Sequence, residues 1–307
     1  MKKVFIDGSA GTTGLRIYER LSSRKDIQLL TLTEETRKDI NARSDALNQA
    51  DIAFLCLPDD AAKESVSLVS NPNTAVIDTS TAHRVNPDWV YGLPELKGQR
   101  LRVANSKRIA NPGCHATGFI ALVAPLVQEG LLKNDTGLSC FSLTGYSGGG
   151  KKMIAQYEDD NRNKLLDAPR QYGLTQNHKH LPEMTQVSGL NVPPVFCPIV
   201  APYYAGMEVT VSLNNADVKT VKECYRDYYH DGVIYFSDSD DFAETGFISA
   251  GAFAGRDDLE ITVHGNSERL LLVSRFDNLG KGASGAAIQN MNILLGLDET
   301  TGLNVRR

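Results

Sequence analysis

The chain has 307 residues, a net charge of -5 and a pI near 5.7, so it lacks the clustered Lys and Arg that nucleic acid or an anionic membrane calls for. No apolar run reaches about 18 residues, and the apolar segment in MKKVFIDGSAGTTG is too short for a signal peptide. A cytoplasmic protein with a small-molecule ligand is therefore expected, large enough for two domains around separate cores. The cysteines (Cys56, Cys114, Cys140, Cys197, Cys224) are odd in number and scattered, with no CxxC and no histidine at metal spacing. That pattern argues against a disulfide framework or a zinc site and leaves room for one functional thiol.

The first 110 or so residues alternate strand-like and helix-like segments. KKVFIDG reads as a strand, and TTGLRIYERLSSR as a helix with apolar residues at Leu15, Ile17, Tyr18 and Leu21. IQLLTLT (strand), RKDINARSDALNQA (helix or loop), DIAFLCLP (strand), DDAAKESVSLVS (helix) and TAVIDTS (strand) follow. This βαβαβαβ order, with near-continuous apolar strands, predicts a parallel sheet covered on both faces, in the Rossmann-like manner. After Asn111 a helix, FIALVAPLVQEG, leads into strand candidates LSCFSLTG, PPVFCPIVAPYYAGMEVTVSLN, LEITVHGN and RLLLVSRFD, some of them alternating. Alternation predicts a mostly antiparallel sheet with one face free to pack, and hence self-association. SGGGKK at 147–152 reads as a loop, and SDSDDFAET as an acidic surface connection. A final Gly-rich turn and helix, NLGKGASGAAIQNMNILLGL, is expected to fold back on the first domain. The expected division is a dinucleotide-binding domain at 1–113, completed by 280–307, and a catalytic and oligomerisation domain at 114–279.

GSAGTTG, spanning Gly8, Ser9, Ala10, Gly11, Thr12, Thr13 and Gly14, lies between a strand and a helix. Glycines there allow a tight turn, and the helix N-terminus offers free N–H groups to a pyrophosphate. The second strand ends with Thr33, and Arg37 and Lys38 follow. A hydroxyl with cations suits a 2′-phosphate, so NADP is expected over NAD, although Glu34 and Glu35 lie close by. In NPGCHATG, the turn residues Asn111, Pro112 and Gly113 deliver Cys114 to the start of a helix, where free N–H groups and the dipole favour a thiolate. Cys56, Cys140 and Cys197 lie in apolar strands and read as structural.

A thiolate attacking an acyl centre needs an acid/base nearby. His115 is adjacent in sequence but points elsewhere on a helix. His83, His230 and His264 stand singly. NHKHLPEM supplies His178 and His180, with Glu183 to orient one of them; no further ligand completes a metal site. GKGASGAA, with Gly280, Lys281, Gly282 and Ala283, would give a second cofactor contact. For substrate anions, Ser147 in GYSGGGKK, Asn111 at the cysteine turn and Arg84 in DTSTAHR are candidates; Arg84 offers a bidentate guanidinium but could instead pair with Asp78.

Taken together, FIDGSAGTTGLRI, NPGCHATGFIALVAPL, HKHLPEM and NLGKGASGAAIQNMNILLGL resemble the short form of the N-acetyl-gamma-glutamyl-phosphate reductases of arginine biosynthesis, relatives of aspartate-semialdehyde dehydrogenase. The resemblance spans essentially the whole chain. It implies an NADPH-dependent reduction of N-acetylglutamyl 5-phosphate to the 5-semialdehyde, releasing inorganic phosphate. It also implies Cys114 as nucleophile and thioester carrier, His178 or His180 as acid/base with Glu183, and Gly8 to Gly14 with Gly280 to Ala283 at the cofactor. A homo-oligomer, dimer or tetramer, is implied as well. Two other readings remain open on the residues: aspartate-semialdehyde dehydrogenase or a related acyl-phosphate reductase, and a non-catalytic NADP-binding regulatory module.

Overall fold

A computed structural model of the chain describes residues 1–230, 232–238 and 245–306; most of the acidic stretch SDSDDFAET lies outside the described residues. The chain forms two compact units, Met1–Pro112 with Ala283–Leu303 and Gly113–Gly282 with Asn304–Arg307, so Gly280 to Gly282 fall with the second.

The first unit runs β1 (Lys2–Asp7), α1 (Thr12–Ser22), β2 (Ile27–Leu30), α2 (Ile40–Gln49), β3 (Ile52–Leu55), α3 (Asp59–Ser67), β4 (Ala75–Asp78), β5 (Val90–Tyr91), α4 (Gln99–Ala104) and β6 (Arg108–Ala110). Its six strands are all parallel, in the order β2-β1-β3-β4-β6-β5. Period-two alternation sends Ile52 and Phe54 to one apolar layer, with Ile17, Leu21 and Ile77, and Ala53 and Leu55 to the other, with Leu47 and Val76. Two faces are buried at the centre of the sheet, which explains the apolar runs VFI in β1, IAFL in β3 and AVI in β4. The segment β5-α4-β6 is an addition to the expected pattern; its elements are too short to carry a periodic signal. In α1, only Ile17 and Leu21, four residues apart, enter the core. Leu15 and Tyr18 remain 41% and 38% exposed.

The second unit contains α5 (Cys114–Gln128), β7 (Ser139–Gly145), α6 (Gly150–Glu158), β8 (Arg170–Gln171), α7 (Leu181–Ser188), β9 (Val195–Ala201), β10 (Met207–Asn214), α8 (Val218–Tyr228), β11 (Ile234–Phe236), β12 (Leu259–Gly265) and β13 (Arg269–Phe276). Its seven strands lie in the order β11-β12-β13-β10-β7-β9-β8. Pairing is antiparallel except for β11 with β12 and β7 with β9. The expected loop at 147–152 is instead ordered as a 3-10 turn, Tyr146–Gly149, and the start of α6. Its glycines mask a helix whose Met153 and Tyr157, one turn apart, pack with Leu166 and Val200.

The helix α5 is buried from His115 to Leu126 and contains Pro125. Proline has no N–H for the carbonyl four residues back, that of Ala121. Tyr229 supplies the donor instead, its hydroxyl reaching Ala121 O at 2.9 Å, while Tyr225 donates to Leu122 O at 2.6 Å. A π-helical turn at Gly280–Ser284, in which the chain passes from the second unit to the first, leads into α9 (Gly285–Leu294) of the first unit, nearly all of it buried. Among the described residues, no helix is long and apolar enough to cross a membrane.

The Tyr229 bond yields a direct test. Tyr229→Phe leaves a buried carbonyl without its donor and is expected to cost about 1–3 kcal/mol. Urea unfolding should read this as a lower midpoint at an unchanged slope; an unchanged midpoint would contradict the role given to Tyr229.

Candidate active site

In the first unit, β1 ends and the chain turns at Gly8, whose φ of +88° and an added Cβ only 2.4 Å from Cys56 O admit no side chain. At Gly14 a Cβ would lie 2.4 Å from Gly8 O, so α1 packs directly on the loop. The helix starts at Gly11 without a side-chain cap, leaving first-turn N–H groups for a ligand. Thr12 Oγ1 is buried and has no partner among the described residues. Beside the loop lies a cavity of about 590 Å³, walled by Gly8, Ser9, Ala10, Tyr18, Arg37 and Lys38 among others. A cradle that a Cβ would fill, uncapped N–H groups and an orphaned hydroxyl fit the phosphates of a dinucleotide.

The expected adenosine-end residues behave differently from one another. Arg37 and Lys38 line the cavity, but Glu34 lines it too and pairs with Arg37 at 2.8 Å. Thr33 is not in the cavity wall; its hydroxyl meets Thr36 Oγ1 at 3.1 Å and its backbone closes a turn with Arg37. Arg43, which no motif singles out, also lines the cavity. Its Nε and Nη2 bond the Asp7 carboxylate at 3.2 and 3.1 Å, while Ser65 donates to the same oxygen at 2.7 Å. This buried network holds the end of β1 against α2 and α3.

In the second unit, Cys114 opens α5 after Gly113, with no side-chain cap and no acidic residue in the first turn. That is the setting in which a helix N-terminus stabilises a thiolate. Gly282 packs against it so closely that a Cβ there would lie 2.9 Å from Cys114 Cβ. The other thiols differ. Burial pushes Cys140 up, and pushes Cys56 up to about 12 with the Asp78 and Asp7 carboxylates adding to the effect.

The segment HKHLPEM starts α7, with Pro182 and Glu183 in its first turn, as helix N-termini favour. Glu183 is 1% exposed, and its Oε2 accepts from Gly113 N–H at 3.2 Å. Its Oε1 lies 4.0 Å from His180 Nε2, an ion-pair distance beyond hydrogen-bond reach. The backbone N–H of His180 donates to His178 Nδ1 at 3.2 Å, which leaves the His178 proton on Nε2. The His178 and His180 rings lie 4.8 Å apart and both flank His115, at 5.9 and 5.6 Å. His115 itself is buried, bonded to Ser142 Oγ at 2.7 Å and Tyr172 Oη at 2.8 Å. Tyr172 and Ser142 are members of this cluster that sequence reading missed; each meets His115 only through tertiary contact.

The candidate anion contacts are engaged in structure. Arg84 donates to Asn111 O at 3.0 Å and Thr79 O at 3.1 Å. Asp78 is bonded by His83 and Ser80, and His83 stacks on Trp89. Asn111 is buried, with its Nδ2 donating to Ala283 O at 3.1 Å, and Ser147 accepts from Asn278 at 3.0 Å. Lys281 is buried and Gly282 N–H donates to Asp277 O. Among the described residues no group of three or more His, Cys, Asp or Glu could hold a metal ion.

A parallel-sheet nucleotide unit joined to a unit carrying an uncapped helix-start cysteine defines the two-domain semialdehyde dehydrogenase class. Residues 3–104 match the family described as "Semialdehyde dehydrogenase, NAD binding domain" and residues 114–278 match "Semialdehyde dehydrogenase, dimerisation domain". Aspartate semialdehyde dehydrogenase II from Vibrio cholerae, in its complex with ASA, has the same fold at a TM-score of 0.71, with 15% identity over 96% of this chain and 98% of that one. The Candida albicans aspartate semialdehyde dehydrogenase with NADP gives 0.65 at 17% identity, covering 96% and 99%. N-acetyl-gamma-glutamyl-phosphate reductase 2 of Nostoc sp. is 44% identical over 98% of this chain and 99% of its own length. The N-acetyl-gamma-glutamyl-phosphate reductase of Brucella anthropi is 45% identical over 96% and 98%. The chain belongs to the N-acetyl-gamma-glutamyl-phosphate reductase family.

His115 also sets a pH dependence. Burial, with nearby His178 adding, pushes its imidazole down to about 3, whereas an unfolded histidine titrates near ~6.5. Between those values the unfolded chain binds the proton and the folded protein does not, so stability is full above ~6.5 and falls by about 1.4 kcal/mol per pH unit below it. His115→Gln removes this contribution. Urea unfolding should find the stability gap between wild type and variant narrowing by about 2 kcal/mol from pH 7 to pH 5; a constant gap would contradict a buried neutral His115.

Proposed function

We propose that the protein catalyses the NADPH-dependent reductive dephosphorylation of N-acetyl-L-glutamyl 5-phosphate to N-acetyl-L-glutamate 5-semialdehyde and phosphate, the third step of arginine biosynthesis from glutamate. The observation that carries the reading is Cys114 at the uncapped start of α5, between Gly113, held by Glu183, and His115. In this reading the thiolate attacks the acyl carbonyl, a C–S bond forms, the C–O bond to phosphate breaks, and a thioester remains on Cys114. NADPH, when bound, would supply hydride to the thioester carbonyl; cleavage of the C–S bond would then release the aldehyde and restore the Cys114 thiolate. His178 is the better acid/base of the pair: its Nδ1 is fixed by a backbone N–H, which leaves a protonated Nε2 on a half-buried ring. Glu183 positions Gly113 and the start of α5.

The glycine loop from Gly8 to Gly14 holds the pyrophosphate, and Arg37 and Lys38 at the cavity wall favour the 2′-phosphate of NADP over NAD. For Arg37 to do so it must leave Glu34, an exposed pair of small net worth. The cysteines form no disulfide among the described residues, which suits a cytoplasmic, reducing setting. Self-association through the second unit fits its sheet. Val195, Phe141 and Leu271 share one sheet face by register, and each is about half exposed, at 55%, 48% and 46%.

Turnover in the oxidative direction, with phosphate, tests the whole reading. N-acetylglutamate semialdehyde should be oxidised by NADP faster than by NAD, and aspartate semialdehyde slowly or not at all. Cys114→Ser should lower the rate by at least about 10³-fold while the protein stays folded. Wild-type turnover in that variant, or preference for aspartate semialdehyde, would contradict the proposal.

A further inference from the structure

Ser142 lies on β7 with no exposed surface, and its hydroxyl meets one partner among the described residues, His115 Nδ1. A buried donor left without an acceptor costs about 1–3 kcal/mol. Ser142 therefore donates to Nδ1, and the neutral ring carries its proton on Nε2. That Nε2–H faces Tyr172 Oη at 2.8 Å and donates to it. Tyr172 is left holding its own O–H, which has no acceptor among the described residues. The opposite tautomer would strand the Ser142 proton in the core while the half-buried Tyr172 turned its proton inward.

Tyr172 sits where such a donor is useful. Its ring lies 5.7 Å from that of His178, and it holds the residue immediately after the nucleophile. Burial first, and then the charge of the Cys114 thiolate, raise its phenol well above the ordinary tyrosine range, so it stays protonated at neutral pH.

Resting on the acyl-phosphate reading above, we infer that Tyr172 is a further catalytic residue, its O–H aimed by Ser142 and His115 to hydrogen-bond the carbonyl oxygen of the acyl group attacked by Cys114. As the C–S bond forms, the carbonyl electron pair moves onto that oxygen; as the C–O bond to phosphate breaks, the pair returns and the carbonyl is restored. The Tyr172 proton stays on Tyr172 throughout. Ser142 and His115 are positioning residues, and the backbone and side chain of His115 link nucleophile and donor through one residue.

Two measurements on the full-length protein test this. Nitrogen-15 NMR of the wild type without ligand should find His115 protonated on Nε2 only; protonation on Nδ1 would overturn the assignment whether or not any variant folds. Quenched-flow release of inorganic phosphate from N-acetylglutamyl phosphate, with no reduced cofactor present, should give a burst that Tyr172→Phe slows about 10- to 100-fold. Alkylation of Cys114 by iodoacetamide should be unchanged in that variant. A burst at the wild-type rate in Tyr172→Phe would overturn the inference and leave the reductase reading standing, as would an equal slowing of alkylation, which would place the effect on the thiol. No burst in the wild type would overturn both.

Discussion

The hydrogen bond from Gly113 N–H to the buried Glu183 carboxylate decides where α5 begins, and with it where Cys114 sits. A carboxylate with 1% exposure is tolerable only if its oxygens find donors. Glu183 comes from the first turn of α7, so the two helix starts are tied to each other. On the other side of the thiol, His115 is anchored to β7 and to Tyr172. Cys114 is thus bracketed by two fixed neighbours, and its freedom is reduced to rotation about its own side-chain bonds. That is how a residue at a helix terminus, normally a place of fraying, is held in place for the nucleophilic role proposed for it.

The first unit solves a different problem with the same economy of contacts. For the phosphate-binding role proposed for it, the loop must present backbone N–H groups, and only glycine at Gly8 and Gly14 lets strand, loop and helix approach as closely as they do. The buried Asp7–Arg43–Ser65 network then fixes the strand end from which the loop departs. Removing one partner of such a network leaves an uncompensated charge and costs more than the pair contributes. The arrangement therefore fixes geometry more than it adds stability.

Much of this was legible in the sequence, for identifiable reasons. The four leading strands were legible because each carries a short apolar run, and the helix at Cys114 because NPG ends one element and a long apolar run begins another. The segment from β5 to β6 was not legible, since strands of two and three residues have no period. The helix α6 was hidden by the glycines before it. At the site, Cys114, the paired histidines and Glu183 could be picked out, but the Gly113 bond to Glu183 could not, because backbone partners 70 residues apart leave no local trace. Ser142 and Tyr172 escaped for the same reason, at separations of 27 and 57 residues from His115. Thr33 lies past the strand tip expected for it: β2 ends at Leu30, and the chain turns at Thr33, whose hydroxyl meets that of Thr36.

In the proposed reaction Cys114 carries the acyl group. Mass spectrometry of acid-quenched protein, after brief mixing with N-acetylglutamyl phosphate in the absence of reduced cofactor, tests it most directly. The account predicts an N-acetylglutamyl adduct on the peptide containing Cys114, lost on treatment with hydroxylamine and absent in Cys114→Ser. An adduct on another residue, or wild-type turnover without any adduct at Cys114, would contradict it.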